Sequence, residues 1–257
     1  MRFASLGSGS EGNALVVQAG ADCLMVDCGF STREAGRRLA RLGLSPSSLT
    51  GLLVTHEHDD HSGGVFALAR AAGAPVWLTR GTLAALREAD PAVDDGVEVR
   101  LVAGGLEHVL DGIEIRPFTV PHDAREPVQY VFSDGRARLG VLTDLGHPTA
   151  HVASMLSGCD ALVLECNHDA DMLAGGAYPA WLKRRIGGRH GHLSNAQAAE
   201  LLSVLDRSRL RHLLAAHLSR SNNRPELALA ALETVLGGRP DWLGVAQQAS
   251  GFDWRET

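Results

Sequence analysis

Short apolar runs broken by glycines open the chain. Arg2 to Leu6, Ala14 to Gln18 and Cys23 to Asp27 read as strands joined by turns, and an amphipathic pattern from Ser31 or Thr32 to about Leu42 predicts a helix. Strand-like and helical segments alternate beyond that point. The strand-like runs are Gly51 to Thr55, Pro75 to Thr79, Ile113 to Val120, Leu139 to Thr143, Ala161 to Glu165 and Leu210 to Ala216. Helical patterns fall near 64–72, 81–89, 149–157, 195–206 and 225–236, and Ser194 with Gln197 has capping-box spacing for the helix that follows it. No repeat, charge block, low-complexity tract or Pro-rich linker divides the chain. The pattern therefore predicts one layered α/β domain over 1–257, with hairpins at its front.

Composition narrows the class of protein. With 45% apolar and 21% charged residues over 257 positions, the chain is ordinary globular material, which excludes a disordered, collagen-like or disulfide-scaffold protein. Its apolar runs fall far short of the ~20 residues that cross a bilayer, and Met1 is not followed by a basic and then apolar leader. No membrane partner is expected, and the location expected is cytoplasmic. Cys23, Cys28, Cys159 and Cys166 form no Cys-x-x-Cys pair and read as buried small apolar residues. The net charge of -6 gives no overall footprint for nucleic acid. Between Ala177 and His192, however, Lys183, Arg184, Arg185 and Arg189 stand without any acid, a local +4 of the kind a phosphate backbone requires. Oligomeric state is left open.

The strongest chemical signal is THEHDDHSGG at 55–64. His56, His58, Asp60 and His61 place three imidazoles and a carboxylate just after an apolar strand. These are borderline and hard ligands, suited to divalent zinc, manganese or iron. On a turn leaving a strand, one pair can face one ion and the other pair a second. The same arrangement recurs downstream: His122, Asp144 and His217 each follow an apolar run, and the carboxyl rim of a sheet is where α/β sites form. A consistent division puts His56, His58 and His122 on one ion and Asp60, His61 and His217 on another, with Asp144 bridging. Asp27 reads as a residue that orients a histidine or backbone rather than a ligand. GSGSEGN at 7–13 matches a dinucleotide fingerprint in spacing, yet a strand follows it instead of a helix. It reads as a glycine turn in which Asn13 tolerates an unusual backbone conformation.

HxHxDHxGG with later single His, Asp and His ligands resembles the metallo-β-lactamase fold of binuclear hydrolases, and the resemblance runs from MVDCG at Asp27 to His217. It implies an αββα four-layer sandwich with two divalent metal ions, Zn²⁺ foremost and Mn²⁺ or Fe²⁺ as alternatives. The SGSxGN opening, PHDA at 121–124, ECNHD, YPxxLKRR and GHLSN resemble the WalJ/YycJ-type exonuclease branch of that fold. That likeness implies 5′-to-3′ hydrolysis of DNA by a water bridging the two metals, with nucleic acid as the partner. A wider likeness joins LECN and GHLSNAQAA to transfer-RNA 3′-processing endonucleases, in which a Glu and a His pass a proton to the leaving oxygen. Carried over, these are Glu165 and His192, with Asp60 orienting or deprotonating the water. Asn167, His168, Ser194, Lys183, Arg184 and Arg185 are the expected substrate contacts. Cys166-Asn167 stands where those endonucleases carry Ala-Thr, and no arm for a transfer-RNA elbow is recognisable. The alternatives left open are a glyoxalase II-like thioester or ester hydrolase, an RNA-processing endonuclease, and a non-enzymatic module whose metals only hold the fold.

Overall fold

Runs of apolar residues too short for helices become strands in the computed structural model, which describes residues 1–110 and 112–257. In chain order the strands begin β1 (Arg2–Gly7), β2 (Ala14–Ala19), β3 (Asp22–Val26), β4 (Gly51–Leu53), β5 (Val76–Leu78), β6 (Val99–Leu101) and β7 (His108–Leu110). Then come β8 (Ile113–Thr119), β9 (Val128–Ser133), β10 (Arg138–Leu142), β11 (Ala161–Glu165), β12 (His212–Ala216), β13 (Leu243–Val245) and β14 (Phe252–Glu256). The helices are α1 (Thr32–Arg41), α2 (Asp59–Ser62), α3 (Val65–Ala72), α4 (Arg80–Ala89), α5 (Ala150–Leu156), α6 (Ala170–Gly175), α7 (Ala180–Ile186), α8 (Asn195–Val204) and α9 (Pro225–Leu236).

Two seven-stranded sheets result, ordered β14-β1-β2-β3-β4-β5-β6 and β13-β12-β11-β10-β9-β8-β7. Each is antiparallel at one end and parallel at the other, from β3 to β6 and from β10 to β13. Side chains on alternate positions decide the layers. Val163 of β11 and Leu53 of β4 point into the space between the sheets, with Phe3, Tyr130 and Phe132. Their neighbours Leu164 and Leu52 point outward, the first under α5, α8 and α9, the second under α1 and α3. Strands covered on both faces must be apolar throughout, which is why β4 and β11 show no alternation in the sequence. Each buried Leu or Phe contributes about 1.5–3 kcal/mol relative to exposure. The product is an αββα sandwich with three apolar cores between its four layers.

Five strands, β6, β7, β9, β13 and β14, were not legible as separate elements. β6 and β7 are three-residue strands with no fully buried position. β9 is buried at its first five positions and lies between β8 and β10, so its pattern carries no period of two.

Candidate metal centre

The loop that leaves β4 is held by a turn that leaves β3. Asp27 there adopts a left-handed backbone (φ 60°) and its carboxylate accepts from Thr55 N and Thr55 Oγ1, both at 2.8 Å. Backbone pairing continues from Cys28 N to His61 O at 2.7 Å and from Gly64 N to Cys28 O at 2.7 Å. The approach is so close that a Cβ on Gly64 would sit 1.8 Å from Phe30 O, which accounts for the glycine after the ligand motif. His58 caps the single turn α2, carrying Asp60 and His61 inward.

Four of the five candidate histidines are oriented through one ring nitrogen and present the other. His61 Nδ1 donates to Asp27 Oδ2 at 2.8 Å, and His122 Nδ1 donates to Gly191 O at 2.9 Å. His56 Nδ1 pairs with Thr55 Oγ1 at 2.9 Å, and His217 Nδ1 lies 3.4 Å from Glu165 Oε1. His217 takes the only other left-handed non-glycine backbone among the described residues (φ 54°). The presented atoms fall into groups that could hold a metal: His56, His58 and His122; Asp60, His61 and His217; and His56, His61 and Asp144. His56 Nε2 and His58 Nδ1 stand 2.9 Å apart, and His58 Nδ1 is 3.4 Å from His122 Nε2. Asp144 Oδ2 is buried without a hydrogen-bond donor, 3.1 Å from His61 Nε2. Converging imidazole lone pairs around an unpartnered buried carboxylate oxygen fit divalent cations, because only such a charge satisfies all of these acceptors at once.

Electrostatics agree. Burial, reinforced by His61, His122 and His58, holds His56 well below its ordinary value, and burial likewise lowers His122. Burial opposes the charged form of His61 too, but Asp144 and Asp27 outweigh it and lift the ring to about 9. His217 is lifted by Asp144, Asp60 and Glu165 against the same burial. Asp144 is held well below the carboxylate range, its burial overcome by His217, His61, His56 and His122.

A cavity of about 270 Å³ opens over these groups, lined also by Ser10, Asp123, Tyr178, Leu182, Arg185, His192 and Ser219. His192 Nδ1 lies 2.8 Å from Glu165 Oε1, while Glu165 Oε2 accepts from Leu145 N (2.8 Å) and Leu193 N (3.2 Å). The pair joins the end of β11 to the loop before α8. Asn167 lines the cavity but donates its amide to His217 O at 3.0 Å. Of the basic run only Arg185 faces the cavity, its Nε 2.5 Å from Asp123 Oδ2. Lys183, Arg184, His168 and Ser194 border a separate depression across α7. The cause is helical pitch: successive residues turn by ~100°, so three consecutive side chains cannot all share one face.

Sequence reasoning missed Asp123, Tyr178, Leu182 and Ile186, although Leu182, Arg185 and Ile186 have i, i+3, i+4 spacing along one face. Asn13 needs correcting. Its backbone is not left-handed; Gly9 and Gly12 take the positive φ, and the Asn13 side chain bridges Gly9 N (2.9 Å) to His61 Nε2 (3.2 Å). The cysteines are free and buried, and burial pushes Cys23, Cys28 and Cys159 up to about 11 and Cys166 higher still, as inert apolar residues should be.

A family model described as the β-lactamase superfamily domain matches residues 23–217. The exodeoxyribonuclease YycJ of Bacillus anthracis is 35% identical over 253 residues, which cover 98% of this chain and 96% of that protein. The exodeoxyribonuclease WalJ of Streptococcus pneumoniae serotype 2 is 33% identical over 228 residues, covering 88% and 85%. The crystal structure of the metallo-β-lactamase fold protein YhfI from Bacillus subtilis superimposes with a TM-score of 0.76 at 16% identity, over 100% of this chain and 99% of the other. The chain belongs to the metallo-β-lactamase superfamily of hydrolases. No helix among the described residues is long and apolar enough to cross a membrane.

Proposed function

We propose that the protein is a metal-dependent exodeoxyribonuclease, a single hydrolase domain over 1–257 that acts in the cytoplasm and removes nucleotides from a DNA end with 5′-to-3′ polarity. The observation that carries this reading is the His192–Glu165 pair at the cavity wall, 2.8 Å apart beside the converging metal donors. A sugar alkoxide is a poor leaving group and needs a proton, whereas a thiolate departs without one, so such a pair suits phosphodiesters better than thioesters. Kinship to two proteins named exodeoxyribonucleases supports DNA as the substrate.

His56, His58 and His122 would hold one divalent cation, Asp60, His61 and His217 a second, and Asp144 both. The imidazole-rich set favours zinc, and manganese or iron(II) accept the same donors. Bound there, the cations supply positive charge that neutralises the phosphate and acidifies an attacking water. The chain's own groups do the rest. Asp60 orients that water or takes its proton. As the water oxygen bonds to phosphorus and the bond to the sugar oxygen breaks, His192 Nε2 gives that oxygen its proton, Glu165 holding Nδ1. Arg185 stands where it can pair with phosphate oxygens.

End-labelled linear DNA and circular single-stranded DNA, each incubated with zinc or manganese, test the reading. Mononucleotides released from the 5′ end of the linear strand, with the circle left intact, are expected. Cleavage of the circle would make it an endonuclease, and hydrolysis of S-lactoylglutathione with all DNA untouched would make it a thioesterase.

A further inference from the structure

GSGSEGN at 7–13 joins β1 to β2 and takes no part in the hydrolysis proposed above, yet two of its side chains are buried against the metal centre, Ser8 at 6% and Asn13 at 3% exposed. The loop is fastened from behind. Gln248, in the segment before β14, donates from Nε2 to Gly12 O at 2.8 Å and accepts at Oε1 from Glu11 N at 2.9 Å, while Ser8 N donates to Gln247 O at 3.2 Å.

One directed chain of hydrogen bonds crosses the loop. His217 N donates to Ser8 Oγ at 2.8 Å, and Ser8 Oγ donates to Asn13 Oδ1 at 3.1 Å. Asn13 Nδ2 then points at Asp60, 3.3 Å from its carbonyl oxygen and 3.4 Å from Oδ2, and lies 3.2 Å from His61 Nε2. The direction is fixed because Asn13 Oδ1 also accepts from Gly9 N at 2.9 Å, which leaves the amide nitrogen for Asp60. Asn13 N adds a donor to Asp60 O at 2.8 Å. All three residues reached, Asp60, His61 and His217, belong to one candidate ligand set. Among the described residues, no group of the loop bonds to His56, His58 or His122.

His217 has particular need of such support. Its ring has only a distant carboxylate partner, Glu165 Oε1 at 3.4 Å, and that oxygen already pairs with His192 at 2.8 Å. Its backbone is left-handed, a conformation that a residue other than glycine keeps only where its surroundings hold it. Ser8 Oγ at its N–H and Asn167 Nδ2 at its carbonyl oxygen, 3.0 Å away, supply that hold. The ligand is positioned through its main chain, and Glu165 stays available to His192.

We infer that the 7–13 loop is a strap that sets the affinity of the second cation alone, with Ser8 and Asn13 as positioning residues for His217 and Asp60. The inference rests on the two-cation reading and adds to it that the two ligand sets are supported separately, so that one cation can be loosened without the other.

Competition of zinc with a chromogenic chelator on the full-length protein tests it, two binding steps being expected in the wild type. Ser8→Ala and Asn13→Ala should each weaken one step by about 10–100-fold and leave the other as it is. The double variant should lose little more than either alone, since both residues are links of one chain. Ser8→Thr should restore the step, because a void of about 20 Å³ beside Ser8 has room for a water-sized methyl. Zinc-edge anomalous diffraction from Ser8→Ala crystals at limiting zinc should show a full peak among His56, His58 and His122 and a weakened one beside His217. Both steps weakened alike, or neither, would overturn the strap while two zinc ions in the wild type kept the centre standing. A wild type that binds no zinc would remove the strap and the centre together. A loss confined to one step, in a protein that cleaves no DNA, would uphold the strap and remove the nuclease reading.

Discussion

His192 and Asp27 adjoin the same candidate centre, His192 on the cavity wall and Asp27 behind His61. Neither is placed by its own chemistry alone: His192 is turned by Glu165, and Asp27 holds His61 from a left-handed backbone that costs of order 1–3 kcal/mol to maintain. Replacing His192 by Ala should lower kcat on DNA by about 10²–10⁴ but reduce turnover of bis-p-nitrophenyl phosphate by less than about tenfold, since p-nitrophenolate leaves without a proton. Equal losses on the two substrates would show that His192 does not donate that proton. Asp27→Ala should weaken metal binding by about 10–100-fold in competition with a chromogenic chelator, because His61 loses its orienting acceptor; an unchanged affinity would show that orientation is redundant. At this scale the sequence was most legible where spacing is local. His56, His58, Asp60 and His61 lie within six positions. Asn13, by contrast, joins the centre through an amide that reaches 48 positions along the chain, and nothing in its neighbours records the distance.

Among the elements, β9 does the most that its own sequence conceals. It lies in the second sheet, yet Tyr130 donates its hydroxyl to Val54 O at 2.8 Å, and Val128 N donates to Thr55 O at 3.0 Å, so β9 fastens the ligand loop of the first sheet from across the sandwich. Tyr130→Phe should cost about 1 kcal/mol in chemical denaturation through the unpaired carbonyl left at Val54; full wild-type stability would remove β9 from the support of that loop. Strands with one buried and one helix-covered face, such as β4 and β11, were readable as apolar runs because burial on both sides demands apolar residues at every position. The capping box at Ser194 and Gln197 was readable because it is a local device, and the structure forms it. The basic run was legible as charge but not as geometry, since its division between two depressions depends on how α7 is rotated about its axis.

For the molecule as a whole, the ends of the parallel strands β4, β10 and β12 and of the antiparallel strand β8 deliver the candidate ligand loops to one rim, and the net charge of -6 makes the local cations near α7 an island rather than a trend. In the metal-free protein, His61 and His217 sit above their ordinary values and hold protons at pH 7. Cations must displace those protons, so metal affinity should rise with pH as they are lost, and calorimetric titration in buffers of different ionisation enthalpy should register proton release at pH 7. Heats that do not depend on the buffer would contradict that charge balance. Two cations at a thousandfold excess over their dissociation constants would each stabilise the fold by about 4 kcal/mol, so a chelator should lower Tm markedly. The αββα architecture was foreseeable only through the family resemblance that the ligand motifs carry, the periodicity alone giving a layered α/β domain, whereas the edge strands β6 and β7 were not foreseen, being short, partly exposed and without periodicity.

The central claim is a two-cation centre built from residues far apart in the chain. Anomalous diffraction from zinc-loaded crystals, recorded at the zinc edge, tests it directly. The account predicts two peaks, one enclosed by His56, His58 and His122 and the other by Asp60, His61 and His217, with Asp144 between them. One peak, or none among these residues, would contradict it.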